Sequence, residues 1–226
     1  PLPHGTPKPH AVVIGSGLGG RAAAARLGAR GYQVTVLEKL DQPGGRARMF
    51  RQDGFSFDAG PTIITAPFVF EELWQFCGAK LSDDVKLVPM EPFYRLRFDD
   101  GSTFDASSDP AAMRREIARL SPGDVDGYER FFERSKTLYE IGFEEMGTMP
   151  YSSIMDLIKS VPDIIKLEGY RSIHGLVSSY IKDERIRIAF SFHPLFIGGN
   201  PYSASAIYGL IAYLERTFGV HYAMGG

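Results

Sequence analysis

An α/β fold is predicted by three features of the first forty residues. His10–Gly15 (HAVVIG) is a short continuous apolar run, the pattern of a strand buried on both faces. A glycine cluster follows, and Leu18–Arg30 behind it is rich in alanine, leucine and arginine, residues of high helix propensity. Gln33–Glu38 (QVTVLE) is β-branched and reads as a second strand. Strand, helix and strand within about thirty residues make a βαβ unit, whose crossover joins parallel strands.

The other elements follow from local chemistry. The proline-rich Pro1–His10 is expected to be a loose lead-in. Gly31 stands where a helix-ending glycine is favoured. Asp41–Arg46 is a loop, and Asp53-Gly54, flanked by apolar residues, predicts a hairpin over Phe50–Asp58. Pro67–Gly78 has the pattern of an amphipathic helix that buries Cys77. Val85–Met90 and Phe93–Phe98 read as strands, and Asp99-Asp100-Gly101 turns the chain into a partner strand, Thr103–Ala106. From Asp109 the pattern is helical. Ser121-Pro122-Gly123-Asp124 reads as a capping box that opens a helix to about Met146. Helix is expected over Ser152–Leu167, broken at Pro162, then on to about Phe190 and again over Ala204–Arg216. Val220–Ala223 begins a strand. Met224-Gly225-Gly226 reads as a turn into something further, so the chain is expected to be truncated.

Composition narrows the class. The 226 residues are 44% hydrophobic, with 25 basic and 27 acidic side chains, a net charge of -2. That balance offers no overall field for nucleic acid. One cysteine excludes an internal disulfide and a cysteine-rich metal site, and it fits a reducing compartment. No run approaches the ~18 apolar residues of a membrane span, and the first ten residues lack the apolar region of a secretory signal. The five histidines are scattered without ligand spacing, so no metal is expected.

Gly15-Ser16-Gly17-Leu18-Gly19-Gly20 matches G-x-G-x-x-G in the context that gives the pattern meaning: after a strand, opening a helix, with Glu38 ending the next strand. Gly15 permits the tight turn, Gly17 lets backbone approach a pyrophosphate, and Gly20 allows close helix–strand packing. The diphosphate would sit at the positive helix N-terminus, and Glu38 would accept hydrogen bonds from the adenosine ribose hydroxyls. A carboxylate there repels a 2′-phosphate, which argues against NADP. The fingerprint alone does not choose NAD or FAD. Gly44-Gly45-Arg46 offers a second close backbone approach and a guanidinium for a phosphate. Asp58-Ala59-Gly60-Pro61-Thr62 is a third glycine turn.

Strand, Gly15–Gly20, Glu38 and Pro43-Gly44-Gly45-Arg46 together resemble the amino-terminal half of the flavin oxidoreductases that include amine oxidases, protoporphyrinogen oxidases and carotenoid desaturases. Asp58–Thr62, Pro92-Phe93-Tyr94, Ser121–Asp124 with Gly127-Tyr128, and Ser191-Phe192-His193-Pro194-Leu195-Phe196-Ile197-Gly198-Gly199-Asn200-Pro201 narrow the resemblance to bacterial-type phytoene desaturases. It runs from His10 to Gly226. It implies a Rossmann-type FAD-binding βαβ fold over residues 10–65, with an attached α+β, largely helical substrate region over 66–226. The carboxyl-terminal part of the flavin fold, present in family members, is absent from this sequence. FAD would be held by Gly15, Ser16, Gly17, Gly19, Gly20, Glu38, Lys39, Gly44, Gly45, Arg46, Gly60, Pro61 and Thr62.

The implied reaction converts C–C single bonds of phytoene and partly desaturated carotenoids to double bonds, by hydride transfer to flavin and proton loss, with oxygen or a quinone as final acceptor. Weak candidates for handling the proton are His193 and the pair Glu133 and Lys136, three apart on one helix. A hydrocarbon substrate calls for an apolar channel, to which Phe190–Ile197 is suited. It also calls for a cytoplasmic enzyme peripherally bound to a membrane surface. Ile154, Met155, Leu157, Ile158, Val161, Ile164, Ile165 and Leu167, with Lys159 and Lys166, fit an interfacial helix pair. Two rival readings remain: an amine-oxidase-type flavoenzyme, and an inactive fragment or non-catalytic nucleotide-binding module.

Overall fold

The computed structural model describes residues 8–225, so Pro1 to Pro7 of the expected lead-in and Gly226 lie outside the described residues. The chain forms two compact units. Of the described residues, one comprises those up to Met90 together with those from Val220 on; the other is Glu91–Gly219. Residues 66–90 thus share a unit with the glycine fingerprint, whereas the sequence reading places its functional boundary at residue 65.

In the first unit β1 (His10–Ile14) and β2 (Gln33–Leu37) pair in parallel, His10 opposite Gln33 through Ile14 opposite Leu37. They are joined by α1 (Leu18–Ala29). Gly31 closes the helix at φ 97°, its amide donating to the Gly28 carbonyl and that of Tyr32 to Leu27. The expectation that β1 is buried on both faces is not met. Ala11 and Val13 are partly covered, Val13 on the α1 side, but Val12 is exposed and Ile14 is 87% exposed. Alternate side chains of a strand point to opposite faces, and among the described residues helix covers only one.

β3 (Met49–Gln52) and β4 (Phe55–Asp58) form the expected hairpin, with Asp53 at φ 51° and Gly54 at φ 82°, the left-handed pair that a two-residue turn needs. α2 (Pro67–Phe76) starts on Pro67, whose missing amide is harmless in a first turn. Its Glu72 forms a two-pronged ion pair with Arg26 of α1. Cys77, expected in the core, lies beyond the last turn of α2 and is exposed. A one-turn helix, α3 (Leu81–Asp84), was not foreseen; its Asp84 accepts from the Trp74 indole at 2.7 Å. β5 (Leu87–Pro89) ends this part of the unit.

The second unit begins with the hairpin of β6 (Tyr94–Arg97) and β7 (Thr103–Ala106), turned at Gly101 with φ 82°. α4 (Pro110–Leu120) is capped by Asp109, whose side chain accepts from the Ala111 amide. α5 (Val125–Tyr139) continues as a π-helical turn, Glu140–Glu145, and a 3-10 turn, Met146–Thr148, close to the expected end. The expected capping box before α5 does not form. Asp124 turns away and accepts from the amides of Lys182 and Asp183, both at 2.8 Å. α6 (Ile154–Lys159) opens on a capping box of Ser153 and Asp156 instead. α7 (Val161–Lys166) carries Pro162 in its first turn, so the break falls at Ser160 and the proline starts a helix rather than ending one. α8 (Ile173–Ser178), α9 (Glu184–Ser191) and α10 (Leu210–Phe218) complete the helices.

Tyr128, Phe131, Ser135 and Leu138 recur every three or four residues of α5 and are all buried. Met113 and Ile117 of α4, Phe104 of β7 and Phe190 of α9 meet that stripe in one core. Each large aliphatic or phenylalanine side chain among them contributes roughly 1.5–3 kcal/mol by burial. The last strand, β8 (His221–Ala223), belongs to the first unit. It pairs antiparallel with β5, Leu87 opposite Ala223, while His221 exchanges both backbone hydrogen bonds with Ile64 on its other edge.

Candidate functional site

The three glycine turns meet, which sequence spacing alone does not dictate. Gly15 takes φ 97° and donates to the Leu37 carbonyl at 2.7 Å, closing β1 onto β2. A Cβ at Gly20 would lie 2.0 Å from the Gly15 carbonyl oxygen and 3.5 Å from Val13, so only glycine fits between helix and strand. At Gly17 and Gly19 a Cβ would meet no protein atom within 4 Å. Packing inside the protein does not require those two glycines, and the absence of side chains leaves their backbone open to a ligand. Gly17 caps α1 without a side-chain bond, and the first turn has no acid, so the helix itself places no anionic side chain on its positive end.

The second turn lies directly on the first. The Gly44 amide donates to the Ser16 carbonyl at 3.0 Å, and a Cβ on Gly45 would stand 3.1 Å from the Gly17 Cα. The third lies on the second: a Cβ on Gly60 would come within 2.3 Å of the Arg46 carbonyl oxygen. The side chain of Arg46 is exposed, as are Lys39, Pro61 and Thr62.

Glu38 follows the last residue of β2. Its Oε2 accepts from both the amide and the hydroxyl of the buried Ser16, each at 2.7 Å, and its Oε1 from the Leu40 amide at 3.0 Å. These bonds, the Ser16 hydroxyl first, hold the carboxyl down at about 2. The side chain of Ser16, expected among the cofactor ligands, is thus turned to Glu38. An ionised acceptor, an uncapped helix end, glycine backbone without covering side chains and an exposed guanidinium form a donor and acceptor set that fits a dinucleotide such as FAD.

His193 lies in the second unit and is buried. Its Nε2 is 3.2 Å from Glu215 Oε2 and 3.4 Å from the Tyr94 hydroxyl, which also donates to Glu215 at 3.2 Å. Burial, then the Glu215 charge, push the Tyr94 phenol well above its usual range. The triad ties β6, the 3-10 turn His193–Ile197 and α10 together, and Glu215 Oε1 has no hydrogen-bond partner among the described residues. The roles of Tyr94 and Glu215 were not legible, because they lie 99 and 22 residues from His193. Beside this segment a cavity of about 620 Å³ is lined by Ile188, Phe192, Leu195, Asn200 and Tyr202. Glu133 and Lys136 lie on the exposed face of α5, away from its buried stripe, and Lys136 pairs with Glu140 at 3.9 Å.

Comparison with known proteins agrees with this geometry. The profile of the family described as flavin containing amine oxidoreductase matches residues 18–226. A neurosporene-forming phytoene desaturase of Rhodobacter capsulatus is 51% identical over 216 residues, 96% of this chain and 41% of that protein. A lycopene-forming phytoene desaturase of Pantoea ananas is 45% identical over 95% of this chain and 44% of its own length. The chain therefore spans about two fifths of the length of these curated relatives. Among solved structures, cyclohexylamine oxidase from Brevibacterium oxydans shares the fold, with a TM-score of 0.56 at 18% identity over 97% of this chain and 47% of that one.

Proposed function

Since this chain belongs to the flavin containing amine oxidoreductase family, we propose that it serves the FAD-dependent desaturation of phytoene in carotenoid biosynthesis. The observation that carries the reading is the 51% and 45% identity to two phytoene desaturases across nearly all of the chain. The cyclohexylamine oxidase structure, at 18% identity, speaks for the fold alone. The relatives' names differ in product, neurosporene in one and lycopene in the other, so the reading stops at desaturation.

Bound FAD supplies the two-electron acceptor. This chain's residues hold and orient it: Gly17 and Gly19 admit the diphosphate to the helix end, Glu38 takes the ribose hydroxyls, and Arg46 offers a phosphate partner. A hydrocarbon offers no hydrogen-bonding handle, so shape and apolar contact must align it. The cavity wall of Ile188, Phe192 and Leu195 is suited to that task, with His193, tied to Glu215 and Tyr94, fixing the segment beneath it.

The peripheral membrane-binding part of the reading is supported by the surface of α6 and α7. Ile154 is 79% exposed, and Met155, Leu157, Ile158, Val161 and Ile165 are exposed with it; Ile164 is partly covered and Leu167 belongs to the core. No helix among the described residues is long and apolar enough to cross a membrane. Flotation of the chain with anionic vesicles tests this, and failure to float removes the membrane part.

The function itself is tested by incubating the purified chain with FAD, following flavin absorbance through gel filtration, and assaying dispersed phytoene against a panel of amines. Retained flavin with a coloured polyene product is the expected result. Retained flavin with turnover of amines only would overturn the substrate.

A further inference from the structure

We infer that Ser16 is a positioning residue for nucleotide binding: its hydroxyl and amide clamp one oxygen of Glu38, leaving the other to meet the ribose diol. The inference rests on the nucleotide reading of the fingerprint.

Glu38 stands just beyond the β1–β2 ladder, on a side chain with three rotatable bonds. Left alone in water, such a carboxylate samples many positions, and fixing it on binding costs conformational entropy. Here the cost is met on folding. Ser16 is 6% exposed and places both of its donors on Oε2 at 2.7 Å. A carboxylate oxygen has two lone pairs, so two donors saturate Oε2. Oε1 accepts one hydrogen bond among the described residues, from the Leu40 amide at 3.0 Å, with the Lys39 amide acting more weakly on the carboxyl, and it keeps acceptor capacity on the open side. The same bonds favour the charged form, and hydrogen bonds to an ionised acceptor are about twice as strong as neutral ones. Ser16 is also fastened from the other side, its carbonyl accepting from Gly44 at 3.0 Å. The clamp is thereby registered to both glycine turns that would hold the diphosphate.

A residue that merely shapes the loop would act through its backbone, which Ser16→Ala keeps. A positioning residue acts through the hydroxyl and through Glu38. Calorimetric titration of the full chain with ADP and with 2′,3′-dideoxy-ADP separates the two. Ser16→Ala is expected to weaken ADP about five- to tenfold, the net scale of one ordinary hydrogen bond. It should change dideoxy-ADP little, and Ser16→Thr should restore binding. In a Glu38→Ala background Ser16→Ala should add nothing, the signature of coupled residues in a double-mutant cycle. Carboxyl NMR of Ser16→Ala should show Glu38 titrating at higher pH than in the parent. Equal losses for both nucleotides, or additive losses in the cycle, would overturn the inference while the nucleotide reading stands. A parent chain that binds neither nucleotide overturns that reading and the inference with it.

Discussion

The unit that carries the glycine fingerprint and the helical unit keep their shapes by different means. In the helical unit Phe104, Phe131, Leu138, Ile173 and Ile186 have no exposed surface at all. Among the described residues of the first unit only Leu81 and Val220 are buried and apolar, while Val12, Ile14, Leu37, Phe55 and Phe57 are exposed. Order there comes from the backbone: a parallel ladder, a tight hairpin, and glycines that let the main chain touch itself at Gly20, Gly45 and Gly60. Interlocked side chains supply stability. Bare backbone supplies surfaces that a flat, charged ligand can approach.

The largest effect should come from cutting the helical core. Phe131→Ala is expected to cost ~3–5 kcal/mol in urea unfolding of that unit. A loss near 1 kcal/mol would erase the contrast between the units. Next is Gly20→Ala in the backbone-built unit. Its methyl meets a carbonyl 2.0 Å away, and ADP affinity should fall at least about tenfold, roughly 1.4 kcal/mol. Gly19→Ala, which meets nothing, should instead raise helix stability by up to ~1 kcal/mol.

Asp124 sharpens the comparison, because in the helical unit it is a carboxylate, not a glycine, that holds backbone. Asp124→Ala should cost about 1–3 kcal/mol by stranding the amides of Lys182 and Asp183. Burial works to raise its carboxyl, but the Asp183 and Lys182 amides outweigh it and hold it below the usual range. Its contribution is therefore present above the unfolded value near pH ~4 and is lost as pH falls through the folded value. Below that pH the parent's urea midpoint should drop, and Asp124→Asn should lack that part of the drop. The smallest effect belongs to the surface: Ile154→Asn with Ile158→Asn should shift stability by within about 0.5 kcal/mol yet abolish vesicle flotation.

What was legible in the sequence was local. The βαβ unit, the Asp53-Gly54 turn and most helix limits follow from propensity, caps and turn residues a few positions apart. What was not legible depends on partners distant in the chain. Ser121–Asp124 has the letters of a capping box, but amides nearly sixty residues away compete for Asp124 and win. His10–Gly15 has the letters of a doubly buried strand, but burial depends on what lies over the other face. Pro162 was read as a break because its place within a first turn is invisible until the preceding helix is seen to stop at Lys159. At the candidate site each glycine turn was readable, and so was Glu38. Their contact with one another, and the hydroxyl that fixes Glu38, were not.

The pairing of β8 has a consequence for the order of assembly. Met90 and Val220, at the two mouths of the helical unit, are joined by a hydrogen bond of 2.8 Å, and β8 is the strand that β5 pairs with. During synthesis at roughly 5–20 residues per second, the interval between the two mouths amounts to several seconds or more. Through that interval the edges of β5 and of Ile64 emerge without the strand that joins them, while the residues of the helical core are being made. Of the two units, the one that begins first thus receives β8 only after the other has been made.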